Sequence, residues 1–276
     1  MGFSWKQFFR RLYEKAFDED VFSRAAAVAF YFSFAFFPLL LFLISLFGMV
    51  LDNAADMRSE LFGYLKQIMP PSAYDLVQTT IFEVIAGSSG TTLTIGLIIT
   101  LWSASAGFDS LRLALNAVYG LKETRSRWKT ILLAIVLTIC ITILISLALG
   151  LIFYGSQWLE KILPFSFPFL LKSIGWVISL VTLMVVFTLL YSVLPDHKEW
   201  KFVTPGALVG ISLWILLSGL FQLYLGYFDN YSMMYGSLGA MIILMLWLYL
   251  TALVILLGAI INTIFNDSWK IKKETD

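Results

Sequence analysis

Six stretches of the chain carry no Asp, Glu, Lys or Arg: about 25–51, 91–106, 130–154, 173–194, 203–226 and 236–265. A helix crossing roughly 30 Å of hydrocarbon needs about 20 apolar residues, and the second stretch is the shortest and most polar of the six. Apolar positions run through each stretch continuously, whereas a membrane barrel strand alternates apolar and polar over about 10 residues. The pattern therefore predicts an all-α polytopic membrane protein with six transmembrane helices. The first stretch is 27 residues long and lacks a short apolar core before a small-residue cleavage site, so it is expected to stay in the mature chain.

The segments between the stretches have patterns of their own. Residues 3–17 put Trp5, Phe8, Phe9, Leu12 and Ala16 on one helical face and Lys6, Arg10, Arg11 and Glu14 on the other, as an interfacial amphipathic helix does. Segment 52–90 repeats apolar residues at helical spacing on both sides of Pro70 and Pro71, which suggests an external helical hairpin. After the second stretch, Ser105, Asp109, Arg112 and Asn116 form one polar stripe, with Leu111, Leu115 and Val118 opposite. The simpler reading is an amphipathic helix at the interface with an Asp109–Arg112 ion pair; the sharper one turns the stripe toward a cavity. Pro38 removes a backbone hydrogen bond inside the first span and is a candidate hinge. Gly206 and Gly210, four residues apart, would let another helix come close. Trp214 and Trp247 fall mid-span and read as packing residues.

Composition sharpens this picture. The 276 residues are 59% hydrophobic and 13% charged, about half the charge of a soluble domain, which also excludes a disordered chain. Cys140 is the single cysteine, so no disulfide framework is possible. A net charge of +1 argues against a nucleic acid partner. Of the 19 Lys and Arg residues, fifteen lie in the N-terminal segment, the second and fourth connections and the tail, against four in the alternate connections. Cytoplasmic segments retain positive charge, so both termini are expected in the cytoplasm. The organisation is then a cytoplasmic amphipathic helix in 1–24, a six-helix membrane domain in 25–265 and a cytoplasmic tail in 266–276.

Candidate chemistry is sparse. One histidine, His197, stands in a short polar turn with no second histidine to share a metal, and there is no Gly-rich phosphate loop. No cofactor or metal is expected, and no enzyme activity. Carriers coupled to protons or cations commonly hold carboxylates within their spans; here Glu83 and Asp229, near the outer boundary, come nearest. The best candidate for contact with a substrate is the turn between the last two spans, where Gln222, Tyr224, Asp229, Asn230, Tyr231 and Tyr235 bring amides and hydroxyls together. Gly236 and Gly239 leave backbone open beside them. An aromatic interface belt explains the same tyrosines.

Five blocks resemble the YihY/BrkB family of bacterial inner-membrane proteins: AAAVAFYFSFAFFPLLLFL at 25–43, LWSASAG at 101–107, LNAVYG at 115–120, TPGALVG at 204–210 and YGSLGAMIILMLWLYLTALVILLGA at 235–259. The resemblance implies six membrane helices, the cytoplasmic membrane and, in some members, a link to serum resistance. It also brings an old ribonuclease label, for which this chain offers neither metal-binding carboxylates nor an acid/base pair. The expected role is transport or accommodation of an amphipathic, lipid-like substrate, with membrane lipids as partners and self-association open. The alternative is a membrane scaffold or envelope assembly factor that transports nothing.

Overall fold

The computed structural model describes residues 5–50, 62–63, 66, 74–75, 78–79, 90–162, 168–196, 203–227 and 231–275. Among them are seven long helices and no strand: α1 Trp5–Asp18, α2 Val21–Val50, α3 Gly90–Val118, α4 Arg127–Ile162, α5 Pro168–Ser192, α6 Pro205–Tyr227 and α7 Tyr231–Thr275. Four stretches of the described residues are long and apolar enough to cross a membrane, namely Arg127–Leu151, Ser173–Ser192, Pro205–Tyr224 and Met241–Asn266. Val21–Ala35, the part of α2 whose side chains are described, is a shorter apolar stretch.

Helices α2 to α7 close into a ring. Each packs on the next in chain order, and α7 returns to α2, with the most extensive pairing between α2 and α3. Contacts of α3 with α7 and of α2 with α4 draw the ring together. Its core gathers toward one end, where Val21 and Val28 of α2 and Leu111, Leu115 and Val118 of α3 meet Leu256 and Ile260 of α7. In lipid, burying apolar side chains gives little hydrophobic gain, so close approach and interhelical hydrogen bonds must hold such a bundle.

Two sequence expectations change in the fold. The polar stripe is not on a separate interfacial helix, because α3 is one 29-residue helix through Val118. Both of its faces are buried there: Arg112 and Asn116 on one side, Leu111, Leu115 and Val118 on the other. On α1, the expected apolar face divides. Phe8, Leu12 and Ala16 turn to the bundle, with Phe8 6.1 Å from Phe265, while Trp5 and Phe9 stay exposed. Residues 266–275 form the end of α7.

α2 runs through Pro38 as one helix. Trp214 and Trp247 meet edge to face between α6 and α7, their centroids 6.3 Å apart. Of segment 52–90, seven loop positions are described, all helical, with Phe62 buried against Tyr74 at 6.2 Å; Pro70, Pro71 and the rest of the hairpin expectation lie outside the described residues.

Candidate functional site

Helix α3 ends in a Schellman turn. Gly120 takes φ 65°, Leu121 N donates to Asn116 O at 2.8 Å and Gly120 N to Ala117 O at 2.9 Å. This left-handed step suits glycine, and it turns the chain back so that Glu123 reaches the Asn116 and Arg112 side chains one and two turns below. Arg112 Nε and Nη2 hold Asp109 Oδ1 at 2.9 and 2.8 Å, and Nη1 pairs with Glu123 Oε2. Asn116 Nδ2 donates to the same Glu123 oxygen at 3.0 Å. The Arg112 side chain is only 6% exposed, so its charge depends on these two carboxylates.

The network then crosses to the turn after α5. Asp196 Oδ2 accepts hydrogen bonds from Thr124 N and Oγ1, both at 2.6 Å, and its own N–H donates to Asn116 Oδ1 at 2.9 Å. Arg125 lies between Glu123 at 2.9 Å and Asp196 at 3.3 Å and donates through Nη2 to Leu194 O at 2.9 Å. A cation on a carbonyl at the end of α5 also complements the helix dipole. Two connections far apart in sequence are thus clasped by five charged side chains and Asn116.

These surroundings set the carboxylates' titration. Burial alone would push the Glu123 carboxyl up, but hydrogen bonds from Arg125 and the charges of Arg112 and Arg125 prevail and hold it below its ordinary 4.5. For Asp196, the Thr124 hydrogen bonds lead, and it too lies below its ordinary 3.8, burial opposing and the two arginines assisting. A lowered folded pKa means that the unfolded chain binds protons first as pH falls. The clasp's contribution is therefore complete above the ordinary values and is lost as pH drops through the lowered ones. The unfolding midpoint of the wild-type chain in micelles should fall more steeply below about pH 4.5 than that of a Glu123→Gln, Asp196→Asn variant. Parallel curves for the two proteins would contradict this.

Beside the clasp, α6 starts with Thr204 as cap and Pro205 in the first turn, where its missing N–H costs nothing. Ala207 N donates to Thr204 Oγ1 at 3.1 Å, and Gly206 N to Asn262 Oδ1 on α7 at 2.7 Å. Asn262 Nδ2 donates to Tyr119 Oη at 3.2 Å, which joins this seam to the end of α3. A Cβ on Gly206 would overlap Gly258 O, and one on Gly258 would overlap Tyr191 Oη. Tyr191 in turn donates to Ile255 O at 2.8 Å. Gly210 sits against Phe187, 2.7 Å from where its Cβ would be. The pair Gly206 and Gly210 thus serves packing within one chain, α6 against α7 and α5.

The sequence-predicted site residues divide. Asp109, Arg112 and Asn116 join the clasp, whereas Ser105 bonds its own helix at Trp102 O, 2.7 Å away. Gln222 and Tyr224 are exposed at the far end of α6, with Phe221 stacked on Tyr224 at 6.2 Å, and Gly239 is buried. Tyr231, Tyr235 and Gly236 belong to the first turns of α7; their side-chain surroundings, and Asp229, Asn230, Glu83 and His197 altogether, lie outside the described residues. Sequence reasoning missed Glu123, Thr124, Arg125, Asp196, Asn262, Tyr119 and Tyr191. The T-P-G start of α6 and the Y-G end of α3 were available as cap signals, but nothing in the spacing pairs either with Asn262, which lies 56 residues from Gly206 and 143 from Tyr119. Chemically, the clasp is a lock: its Glu123 and Asp196 carboxylates are already held by cations and N–H or O–H donors.

The sequence model for virulence factor BrkB matches residues 12–276. The chain is 34% identical over 258 residues to the ribonuclease-like protein YfkH of Bacillus subtilis, covering 91% of this chain and 92% of that one. A UPF0761 membrane protein of Stenotrophomonas maltophilia is 25% identical over 269 residues; the match covers 93% of this chain but 60% of that relative's length. A UPF0761 membrane protein of Mannheimia succiniciproducens is 25% identical over 256 residues, 90% of this chain and 85% of the relative. No solved structure matches.

Proposed function

Because the chain belongs to the virulence factor BrkB family, we propose that it is a six-span protein of the bacterial cytoplasmic membrane that transports or accommodates an amphipathic, lipid-like substrate. In this reading α2 to α7 are the spans and both termini are cytoplasmic, as is the clasp end. The observation that carries it is an apolar exterior with hydroxyls among the buried side chains. Leu132, Val136, Leu147 and Leu151 of α4 and Leu216, Leu220 and Leu223 of α6 face outward, while Thr138, Thr142 and Ser146 of α4 and Thr188 of α5 face inward. A lipid-like molecule suits that division: its tails need only the apolar exterior, and its polar end can meet hydroxyls rather than charges. Ser146 Oγ is buried with no hydrogen-bond partner among the described residues, a group that a polar substrate atom would satisfy.

No acid/base or metal chemistry is part of this proposal, since the clasp carboxylates already have partners. Purified protein reconstituted in liposomes should accelerate transbilayer movement of a labelled lipid or amphiphile, and Ser146→Val, Tyr235→Ala and Gly236→Leu should slow it. Rates equal to those of empty liposomes for every lipid class tested would count against transport. That result would leave the scaffold reading, which the tight Gly206 and Gly258 seam favours.

A further inference from the structure

Helix α1 has one face docked and another open. Phe8 and Leu12 pack on the core and Ala16 is 4% exposed, but Trp5, Phe9, Tyr13 and Phe17, spaced by four, are 54–66% exposed. The row carries on to α2: Tyr13 lies 4.5 Å from Phe17, and Phe17 5.3 Å from Phe22, with Phe30 and Phe34 exposed further along α2. Lys6 and Arg10 lie on the helix flank next to this row, and Arg11 is exposed on the opposite flank. Arg10 also holds Glu14 at 2.8 Å, so Lys6 and Arg11 carry the freer charge.

The helix is held at a set angle. Asp20, at φ 52°, accepts from Ser23 Oγ at 2.9 Å, and Arg24 Nε donates to Glu19 O at 2.8 Å. Together with the docked inner face, this turn keeps the aromatic row continuous with the outer surface of α2. An aromatic edge in line with a lipid-facing helix and bordered by cations is the composition of a helix lying in the headgroup layer.

We propose that α1 docks on an anionic lipid surface, its aromatic row sunk to the acyl boundary and its cations at the headgroups, and so sets the depth of the bundle at its clasp end. This rests on the reading of α2 to α7 as membrane spans, and not on transport of any substrate. Each cation near an anionic surface is worth about fivefold in local binding, so lipid charge should tune the depth.

The test uses the full chain in a Cys140→Ala background, carrying nitroxide labels singly at Phe9→Cys, Tyr13→Cys, Phe17→Cys, Arg11→Cys or Glu14→Cys. The chains are reconstituted in phosphatidylcholine vesicles with or without phosphatidylglycerol. Collision with oxygen should dominate at 9, 13 and 17, and collision with a water-soluble nickel chelate at 11 and 14. The contrast should widen with phosphatidylglycerol and shrink in high salt. Equal accessibility at all five positions, or no response to phosphatidylglycerol, would overturn the proposal. So would protection at 9, 13 and 17 that grows with protein concentration in lipid-free detergent, since a second copy of the chain would then be the occupant. Because labelling measures immersion alone, a failed flux assay with intact immersion refutes transport and leaves this inference standing.

Discussion

Gly206→Ala is expected to destabilise the bundle more than any other single methyl group added to α6. Its Cβ would overlap Gly258 O and come within 2.6 Å of the Asn262 side chain. Overpacking costs roughly 1–3 kcal/mol when side chains can yield. Here the nearest obstacle is a backbone carbonyl of α7, so α6 and α7 must move apart and the Gly206 N to Asn262 Oδ1 bond at 2.7 Å lengthens with them. A loss of about 3 kcal/mol or more is the consequence. Gly219 is the internal control: it lies on the same helix with nothing among the described residues within 4 Å of its Cβ position. Gly219→Ala should be neutral or gain up to about 1 kcal/mol from helix propensity. Denaturation of the purified protein by rising sodium dodecyl sulfate in mixed micelles measures both, and equal midpoints for the two variants would refute the seam.

Arg112→Ala should produce the second large effect. It removes the buried guanidinium that both Asp109 and Glu123 bind, and removing one member of a buried pair costs about 3–5 kcal/mol, a cost that water moderates here because the two carboxylates are 39% and 22% exposed. Arg125 still neutralises Glu123 from 2.9 Å, so the lower end of that range, about 3 kcal/mol, is expected. The double variant Arg112→Met, Glu123→Gln removes both charges and should lose less than Arg112→Ala alone. The same denaturation assay decides the matter. If the effects of substituting Arg112 and Glu123 simply add, the two residues are not coupled and the clasp does not act as one unit.

The two effects fall at the same end of the bundle, close to the docked face of α1. The α3–α4 connection, the turn after α5, the start of α6 and residues 255–262 of α7 are tied there by hydrogen bonds spanning 56 to 143 residues. The labelled-lipid assay can therefore be run on Arg112→Ala at temperatures where it stays folded, separating a role of the clasp in function from its role in stability.

What the sequence determined by itself is the set of elements. Uncharged runs leave the backbone only one way to satisfy its own N–H and C=O groups in hydrocarbon, the helix, and the T-P-G and Y-G signals mark where two of these helices begin and end. The Asp109–Arg112 pair was legible because residues three apart share a helix face. What only the tertiary structure decided is which ends meet. Glu123, Asp196 and Asn262 look like ordinary connection or span residues until α3, α5, α6 and α7 converge, because an ion pair or an amide bond between distant residues leaves no periodic trace in the chain. Helical spacing reports which residues share a face; it takes the packing of neighbouring helices to say whether that face is left open, as on the outer row of α1, or covered by protein, as at Arg112 and Gly206.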